Sequence, residues 1–144
     1  MIASNFVTQA DIYFIDNVVN DMSICRQLRT NIGEIVNAVG EPESIITGGA
    51  MTGGKDVILI WSENGLSVSY NTNEIPENQR AEIGPEIEII CLDLFDPDLY
   101  YEMTDAGFFS MGYYNAEETL KAMYPWNGYG NLNEKYPFRN PRQP

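Results

Sequence analysis

The chain has 144 residues, of which 44% are hydrophobic and 12% aromatic, enough for one folded domain with a real core. Its formal net charge of −13 disfavours direct binding to nucleic acid, and no apolar run reaches the roughly 20 residues that a membrane-spanning helix needs. Histidine is absent, so imidazole-dependent catalysis and an ordinary zinc site cannot be built from this chain alone.

The first elements in chain order are a strand and a helix. Residues 6–15 are rich in β-forming side chains and predict a strand. Helical spacing of apolar residues then predicts a compact helix over 32–39, preceded by a turn or a first helix at 22–30. Asn31, with a glutamate three positions later, is typical of a capping box, and Gly40 is typical of a left-handed C-cap.

A β-hairpin in the middle of the chain gives the clearest structural signal. An apolar run at 56–61 is followed by alternating apolar and polar residues at 66–71, and the Asn64-Gly65 pair between them is typical of a hairpin turn. A glycine-rich loop is predicted over 47–55. Its Gly-Lys ending superficially resembles a phosphate-binding loop, but it leads into a strand rather than a helix, so we reject that interpretation.

A further strand and most of the negative charge follow the hairpin. A polar connection over 71–85 leads to a strand predicted over 86–95, which Asp96-Pro97 ends because proline cannot extend a central strand. The inward positions of that strand are expected to be Ile87, Ile89, Cys91 and Leu94. From Glu74 to Asp105 ten carboxylates accompany a single base, Arg80, for a formal charge of −9.

The last third predicts a short strand, a short helix and a tail. Residues 108–114 are strand-like, and a helix over 116–124 follows Asn115 as its N-cap. We divide the chain into a single α+β domain over 1–131 and an irregular, mildly basic tail over 132–144. The expected fold is an antiparallel sheet of about four or five strands with two or three short helices packed on it.

The two cysteines, Cys25 and Cys91, are predicted to be buried reduced thiols that act as small hydrophobic residues. A bridge between them stays open if the protein works outside the cytosol. The N-terminus lacks the basic and apolar regions of a signal peptide, so a cytoplasmic location is expected. A periplasmic location is the alternative if the N-terminus has been processed.

The stretch 28–70 resembles the helix-and-hairpin unit of small bacterial envelope proteins. The matching pieces are IGEIVNAVGEP (32–42), ILIW (58–61) and GLSVSY (65–70). They are similar to the SmpA/OmlA family of outer-membrane lipoproteins and to the β-lactamase inhibitor protein, in which a short helix ends in Gly-x-Pro and an antiparallel meander follows. This resemblance implies a non-catalytic module that binds other proteins.

The acidic block predicts a docking surface for a basic protein. Clustered carboxylates repel one another and steer basic surfaces toward themselves, although a merely solvated surface would have the same composition. Tyrosines beside such carboxylates are favoured anchors at protein interfaces. The predicted partner-binding residues are Glu74, Glu77, Glu82, Glu86, Glu88, Asp96, Asp98, Tyr100 and Tyr101.

Other uses of the carboxylates fit the sequence less well. Asp93, Asp96 and Asp98 offer oxygen ligands for Ca²⁺, but the EF-hand spacing is absent, and we expect no metal or cofactor. We therefore expect a non-enzymatic module, of an immunity or anti-defence type from bacteria or phages, that inhibits or neutralises a cognate basic protein, with a nucleic-acid-binding protein as one candidate. The alternatives are an envelope-type assembly or scaffold module and a small carboxylate-dependent hydrolase. The oligomeric state is not predicted.

Overall fold

A computed structural model of the chain describes residues 9–15, 18–26, 28–49, 54–109 and 115–140. The helices and strands, in chain order, are β1 (Gln9–Ile15), β2 (Val18–Cys25), α1 (Ile32–Val39), β3 (Ser44–Gly49), β4 (Lys55–Trp61), β5 (Leu66–Asn71), β6 (Glu82–Ile83), β7 (Cys91–Phe95), α2 (Tyr100–Asp105), α3 (Ala116–Ala122), β8 (Tyr124–Pro125), β9 (Gly130–Asn131) and α4 (Leu132–Lys135). Short 3₁₀ helices occupy Ser62–Asn64, Thr72–Glu74, Glu77–Gln79 and Pro97–Leu99.

The main sheet has seven strands in the order β1-β2-β7-β5-β4-β3-β8, and every neighbouring pair is antiparallel. The strands β6 and β9 form a separate two-stranded sheet. The predicted α+β class with an antiparallel sheet is therefore confirmed. The main sheet has more strands than the four or five expected, and the described segments include four α-helices rather than two or three.

Helix α1 has the predicted bounds and the predicted N-terminal capping box. The Asn31 side chain accepts a hydrogen bond from the Glu34 N–H at 2.9 Å, and the Glu34 carboxylate accepts one from the Asn31 N–H at 3.0 Å. These two bonds satisfy N–H groups that the first turn of a helix leaves free, which is the purpose of a capping box. Gly40 ends the helix with a φ of +94°, in the range that favours glycine, but its ψ of −177° differs from the left-handed C-cap that the sequence predicts.

The helix or turn predicted at 22–30 is wrong, because residues 18–25 form strand β2. This strand pairs with β1 on one side and with β7 on the other. The three-to-four spacing of apolar residues around Ile24 competes with an alternating pattern in which Met22 and Ile24 share a face and Asp21 and Ser23 share the other. Hydrogen bonding to two neighbouring strands stabilises the alternating, extended conformation. A local sequence window contains no information about such long-range pairing.

The central hairpin of β4 and β5 is confirmed. Gly65 closes its turn in the left-handed conformation, and Leu66, Val68 and Tyr70 are all buried on one face as predicted. The loop predicted over 47–55 is shorter, because its first residues belong to β3 and Lys55 begins β4. Only 50–54 lie between the two strands, and of these 50–53 lie outside the described residues.

The strand predicted over 86–95 is wrong in its first half. Only Cys91–Phe95 pair as β7, while 86–90 run beside α1. Ile87 and Ile89 are buried as expected, but Leu94 is 44% exposed. The alternation predicted for one continuous strand therefore fails where the chain enters the sheet.

The C-terminal third differs from its prediction in the tail. Phe108 and Phe109, predicted to begin a strand, lie in a turn after α2, and 110–114 lie outside the described residues. Helix α3 is confirmed, with the Asn115 side chain accepting a hydrogen bond from the backbone of its first turn. The segment from 132 is not irregular at its start, because it forms α4, and Leu132 and Tyr136 are buried in the core.

Buried apolar side chains divide between the two faces of the main sheet, since neighbouring residues on a strand point in opposite directions. The larger cluster lies under α1 and the connection after β5; it contains Ile32, Ile45, Val57, Leu59, Trp61, Leu66, Val68, Tyr70, Ile75, Ile83, Ile87, Ile89, Leu132 and Tyr136. The smaller cluster lies under α2 and α3; it contains Ile46, Ile60, Phe95, Phe109, Ala122 and Met123. Among the helices described, none is long and apolar enough to cross a membrane.

Candidate functional site

The first turn of α1 holds the acidic segment 85–90 in place. The Ile32 N–H donates a hydrogen bond to the Ile87 carbonyl at 3.0 Å, and the Gly33 N–H donates one to the Pro85 carbonyl at 2.8 Å. These N–H groups are among those that a helix start leaves without internal partners. The first turn of the capped helix therefore fixes the backbone of this segment through two hydrogen bonds.

A groove of about 710 Å³ lies between this segment, the connection after β5 and the end of β2. Its residues combine apolar side chains with carboxylates; they are Arg26, Leu28, Glu74, Ile75, Pro76, Gln79, Glu86, Glu88, Ile89 and Ile90. Ile75 and Ile89 are buried members of the larger core cluster, so this part of the groove wall is continuous with the core. A depression of this size accommodates several side chains of a bound segment.

The charge of the groove comes from three exposed carboxylates, Glu74, Glu86 and Glu88. Within the described ranges the single ion pair joins Lys121 to a glutamate of α3, so none of the three forms an ion pair with a described cation, although Arg26 also lines the groove. Burial, followed by the charges of Glu41 and Glu86, raises the pKa of Tyr129. The carboxylates of this region therefore disfavour ionisation of the neighbouring Tyr129 hydroxyl.

The base that lines the groove, Arg26, directly follows β2. Its backbone has a φ of +65°, a conformation uncommon for residues other than glycine. A hydrogen bond of 2.7 Å from the Arg26 N–H to the Ile90 carbonyl holds this turn. The turn sends the chain out of the sheet and past the acidic segment.

The nine predicted partner-binding residues separate into distinct regions of the surface. Glu74, Glu86 and Glu88 meet in the groove, whereas Glu77 and Glu82 are exposed but do not line it. The remaining four, Asp96, Asp98, Tyr100 and Tyr101, follow the opposite end of β7, about 13 Å of strand away.

The two predicted tyrosine anchors differ in exposure. Tyr100 is half-buried against the smaller core cluster, and its hydroxyl lies 3.4 Å from the Met123 sulfur. Tyr101 is 59% exposed and so has the accessibility that an interface anchor needs.

A disulfide joins Cys25 to Cys91, so the prediction of two reduced thiols is wrong. The two residues lie opposite each other in the register of β2 and β7. Their chain neighbours Arg26 and Ile90 both line the groove. The covalent link therefore joins two walls of the groove. The sequence predicted a turn or helix around Cys25, so it gave no indication that Cys25 lies in a strand opposite Cys91.

The sequence analysis did not single out Asp21, which lies beside Asp93 on the face of the sheet opposite the larger core cluster. Burial, with the neighbouring Asp93 carboxylate adding to it, raises the pKa of Asp21 to about 6. Burial also raises the pKa of Asp93, which accepts a hydrogen bond from the Ser67 hydroxyl at 3.4 Å. Hydrolysis by paired carboxyls needs an open cleft between them, and Asp21 is only 5% exposed, so we do not assign this pair a catalytic role.

Among the residues whose positions are described, no group of three or more acidic or cysteine side chains is arranged to hold a metal ion. Comparison of the chain with protein-family models, with curated proteins and with solved structures finds no match. The resemblance of 28–70 to SmpA/OmlA-type modules therefore stays a prediction.

Proposed function

We propose that this protein is an acidic binding module that inhibits or neutralises a basic protein, of the immunity or anti-defence type, and that it works without catalysis. The observation that carries the proposal is the meeting of Glu74, Glu86 and Glu88 around one partly apolar groove, where these three exposed carboxylates form no ion pair with any cation of the described segments.

The groove combines two properties that favour a basic protein as its partner. Unpaired carboxylates attract a basic surface from a distance and raise the rate of association. Apolar walls add contact area whose burial favours the complex once it has formed. An arginine- or lysine-rich segment of the partner, with apolar side chains between its charges, matches both properties. A nucleic-acid-binding enzyme carries such segments where it contacts phosphates, so carboxylates at this groove would occupy the place of its substrate.

The disulfide is evidence about the cellular compartment in which the protein acts. Disulfides persist in oxidising compartments and are rare in the cytosol, so the Cys25–Cys91 bridge favours action in a non-reducing compartment. The same observation favours the second candidate function, an envelope-type assembly module. The two candidates differ in their consequence for the partner, since an inhibitor lowers the partner's activity whereas an assembly module does not.

The test begins with affinity purification from the source cells and identification of a basic protein that co-purifies. Calorimetry then compares the unaltered chain with the E74Q/E86Q/E88Q variant. We expect the variant to bind about thirtyfold more weakly and with a smaller dependence on salt, because three attractive charges are lost. The control is E102Q/E117Q/E134Q, which removes the same charge from other exposed positions and should change the affinity by no more than about threefold.

Two results would overturn the proposal. One is equal weakening by both triple variants, because net charge rather than the groove would then explain binding. The other is recovery of no basic protein. Assay of the partner's activity with and without the chain then separates the inhibitor from the assembly module.

A further inference from the structure

The register of the main sheet gathers apolar side chains on one face of β1, β2 and β7. Ile12, Met22 and Leu94 lie opposite one another in one row, and Ile24 and Leu92 form the next row on the same face. Both rows continue on β5 into side chains of the larger core cluster, and Leu92 itself packs against that cluster. These five residues, called the open face below, therefore extend the sheet face that α1 covers elsewhere.

The described segments leave the open face accessible. Ile12 is 45% and Leu94 44% exposed, and the other three side chains are half-buried. An apolar area that joins several neighbouring strands is unusual on a surface and marks a site of interaction.

Helix α1 runs alongside the open face. Its first turn bonds to segment 85–90, which leads directly into β7. At its other end the Gly40 carbonyl accepts a hydrogen bond of 2.8 Å from the indole N–H of Trp61, which pairs with Leu66 in the row of Leu94. A helix is about 10 Å across, and the outer two of three neighbouring strands are about 10 Å apart. The open face therefore has the dimensions to receive one further helix beside α1.

Both ends of the open face carry negative charge. At one end Ile90, two positions before Leu92, packs against the same core cluster and lines the acidic groove with its three glutamates. At the other end Leu94 lines a depression of about 300 Å³ together with the exposed Asp96. Among the described residues, Arg26 is the one base that lines either depression.

We propose that the open face receives an amphipathic helix of the basic partner, with its apolar side on these five residues and with lysines or arginines at its ends. An apolar face offers no hydrogen-bond partners, so it favours an occupant whose backbone bonds are internal, as in a helix. The carboxylates at both ends select a basic helix. A second copy of this chain is disfavoured, because each copy has a net charge of −13. The inference rests on the proposed function, since it names the form of the segment that the partner presents.

The test uses a defined probe and the unaltered protein. The probe is a peptide of about 16 residues with leucines at helical spacing of three and four and with two lysines at each end. Its titration into the full chain should give saturable nuclear magnetic resonance shifts of the Ile12, Met22 and Leu94 amides. A peptide of the same composition with leucines at alternate positions should bind at least about tenfold more weakly, because it cannot present them on one side of a helix. Replacement of the lysines by glutamine should weaken binding about fivefold.

Variants then locate the site. Leu94→Gln should weaken binding of the lysine peptide about tenfold, because docking would bury a polar side chain. The control is Leu120→Gln, which replaces an exposed leucine of α3 and should leave binding within about twofold. E74Q/E86Q/E88Q should weaken binding about fivefold, because one end of the open face loses its charge. If this triple variant bound normally while Leu94→Gln bound weakly, the groove and the proposed function would fail whereas docking on the open face would stand.

Three outcomes would overturn the inference. They are equal affinity of the helical and alternating peptides, absence of saturable shifts from the open face, and concentration-dependent dimerisation in analytical ultracentrifugation that Leu94→Gln abolishes. With shifts confined to the amides of the groove, the proposed function would survive without the helix. Dimerisation would assign the open face to a second copy of this chain.

Discussion

Cys25 and Cys91 face each other across β2 and β7 with their Cα atoms 4.1 Å apart, and their neighbours Arg26 and Ile90 both line the acidic groove. The link joins residues 66 positions apart in the chain. It therefore restricts the unfolded chain strongly and, in the folded state, fixes the edge of the groove to the sheet.

Loss of this disulfide is expected to lower stability without abolishing the fold. The C25S/C91S variant should unfold at lower urea concentration, with a free energy of unfolding reduced by roughly 2–4 kcal/mol. Equilibrium urea denaturation followed by tryptophan fluorescence measures this, because Trp61 is buried in the core. Reduction of the unaltered protein should give the same value. A midpoint that reduction does not move would contradict the structural role assigned to the bridge.

Gly33→Ala is expected to destabilise the protein although alanine is the better helix former. A Cβ at this position would lie 2.9 Å from the Pro85 Cβ and 3.1 Å from the Pro85 carbonyl oxygen. Segment 85–90 must then move away from α1, at a cost that exceeds the roughly 1 kcal/mol gained in helix propensity. We expect a net loss of about 1 kcal/mol in urea denaturation, together with shifts of the Glu86 and Glu88 amides in nuclear magnetic resonance spectra.

The control for this helix is Asn37→Ala, at an exposed position of α1. It gains helix propensity without meeting another segment, so it should stabilise slightly. If Gly33→Ala were also stabilising, the close approach of α1 to the acidic segment would not constrain the groove.

Local sequence signals predicted those elements whose shape depends on their own residues. Asn31, Glu34 and Gly40 fix α1 through bonds and dihedral angles within a few positions of one another. The Asn64-Gly65 turn and the alternation after it likewise specify the central hairpin. These caps and this turn can be predicted from the sequence because other conformations of the same residues would lack their hydrogen bonds.

Features that depend on distant partners could not be predicted in this way. The segment 86–90 reads as a continuation of β7, yet carbonyls of 85 and 87 accept hydrogen bonds from the start of α1 and draw it out of the sheet. The charge count identified an acidic block, but only the fold shows which carboxylates meet. The burial of Asp21 could not be predicted from the sequence, because it depends on the pairing of β2 with β7, some 70 residues later in the chain.

Gly65→Ala is expected to be more harmful than its place in a turn suggests. Gly65 has a φ of +60°, and a Cβ would lie 2.0 Å from the Phe95 carbonyl oxygen. The strands β5 and β7 would have to separate at the point where the Phe95 N–H bonds to the Gly65 carbonyl at 2.8 Å. We expect a loss of at least about 2 kcal/mol in chemical denaturation.

Gly40→Ala separates the effect of the backbone from that of the clash. Gly40 also has a positive φ, of +94°, but a Cβ there would meet no atom within 4 Å. Its replacement should therefore cost only about 1 kcal/mol, for the backbone conformation alone. Equal losses at the two positions would mean that the contact with Phe95 relaxes freely.

Asp21 is expected to make stability depend on pH in the opposite direction to an ordinary salt-bridged carboxylate. Burial and the neighbouring Asp93 raise the pKa of Asp21 to about 6 in the folded chain, against 3.8 for a fully solvated aspartate side chain. Between these values the folded chain retains a proton that the unfolded chain has lost, so the contribution to stability is greatest below about pH 4 and declines as the pH rises through 6. Asp21→Asn, which cannot ionise, should remove the penalty and stabilise the protein at pH 7 by of the order of 2 kcal/mol.

The measurement is the difference in free energy of unfolding between Asp21→Asn and the unaltered chain, by urea denaturation at several pH values. Taking the difference removes most of the contribution of the other carboxylates, apart from that of Asp93, whose charge acts on Asp21. The difference should be largest at pH 7 and should nearly vanish at pH 4, because Asp21 is then protonated in the folded chain. Asp98→Asn removes the same charge from an exposed position and should change the free energy of unfolding only slightly. A constant difference for Asp21→Asn across this range would mean that the carboxylate stays ionised in the folded protein and is solvated or paired in solution.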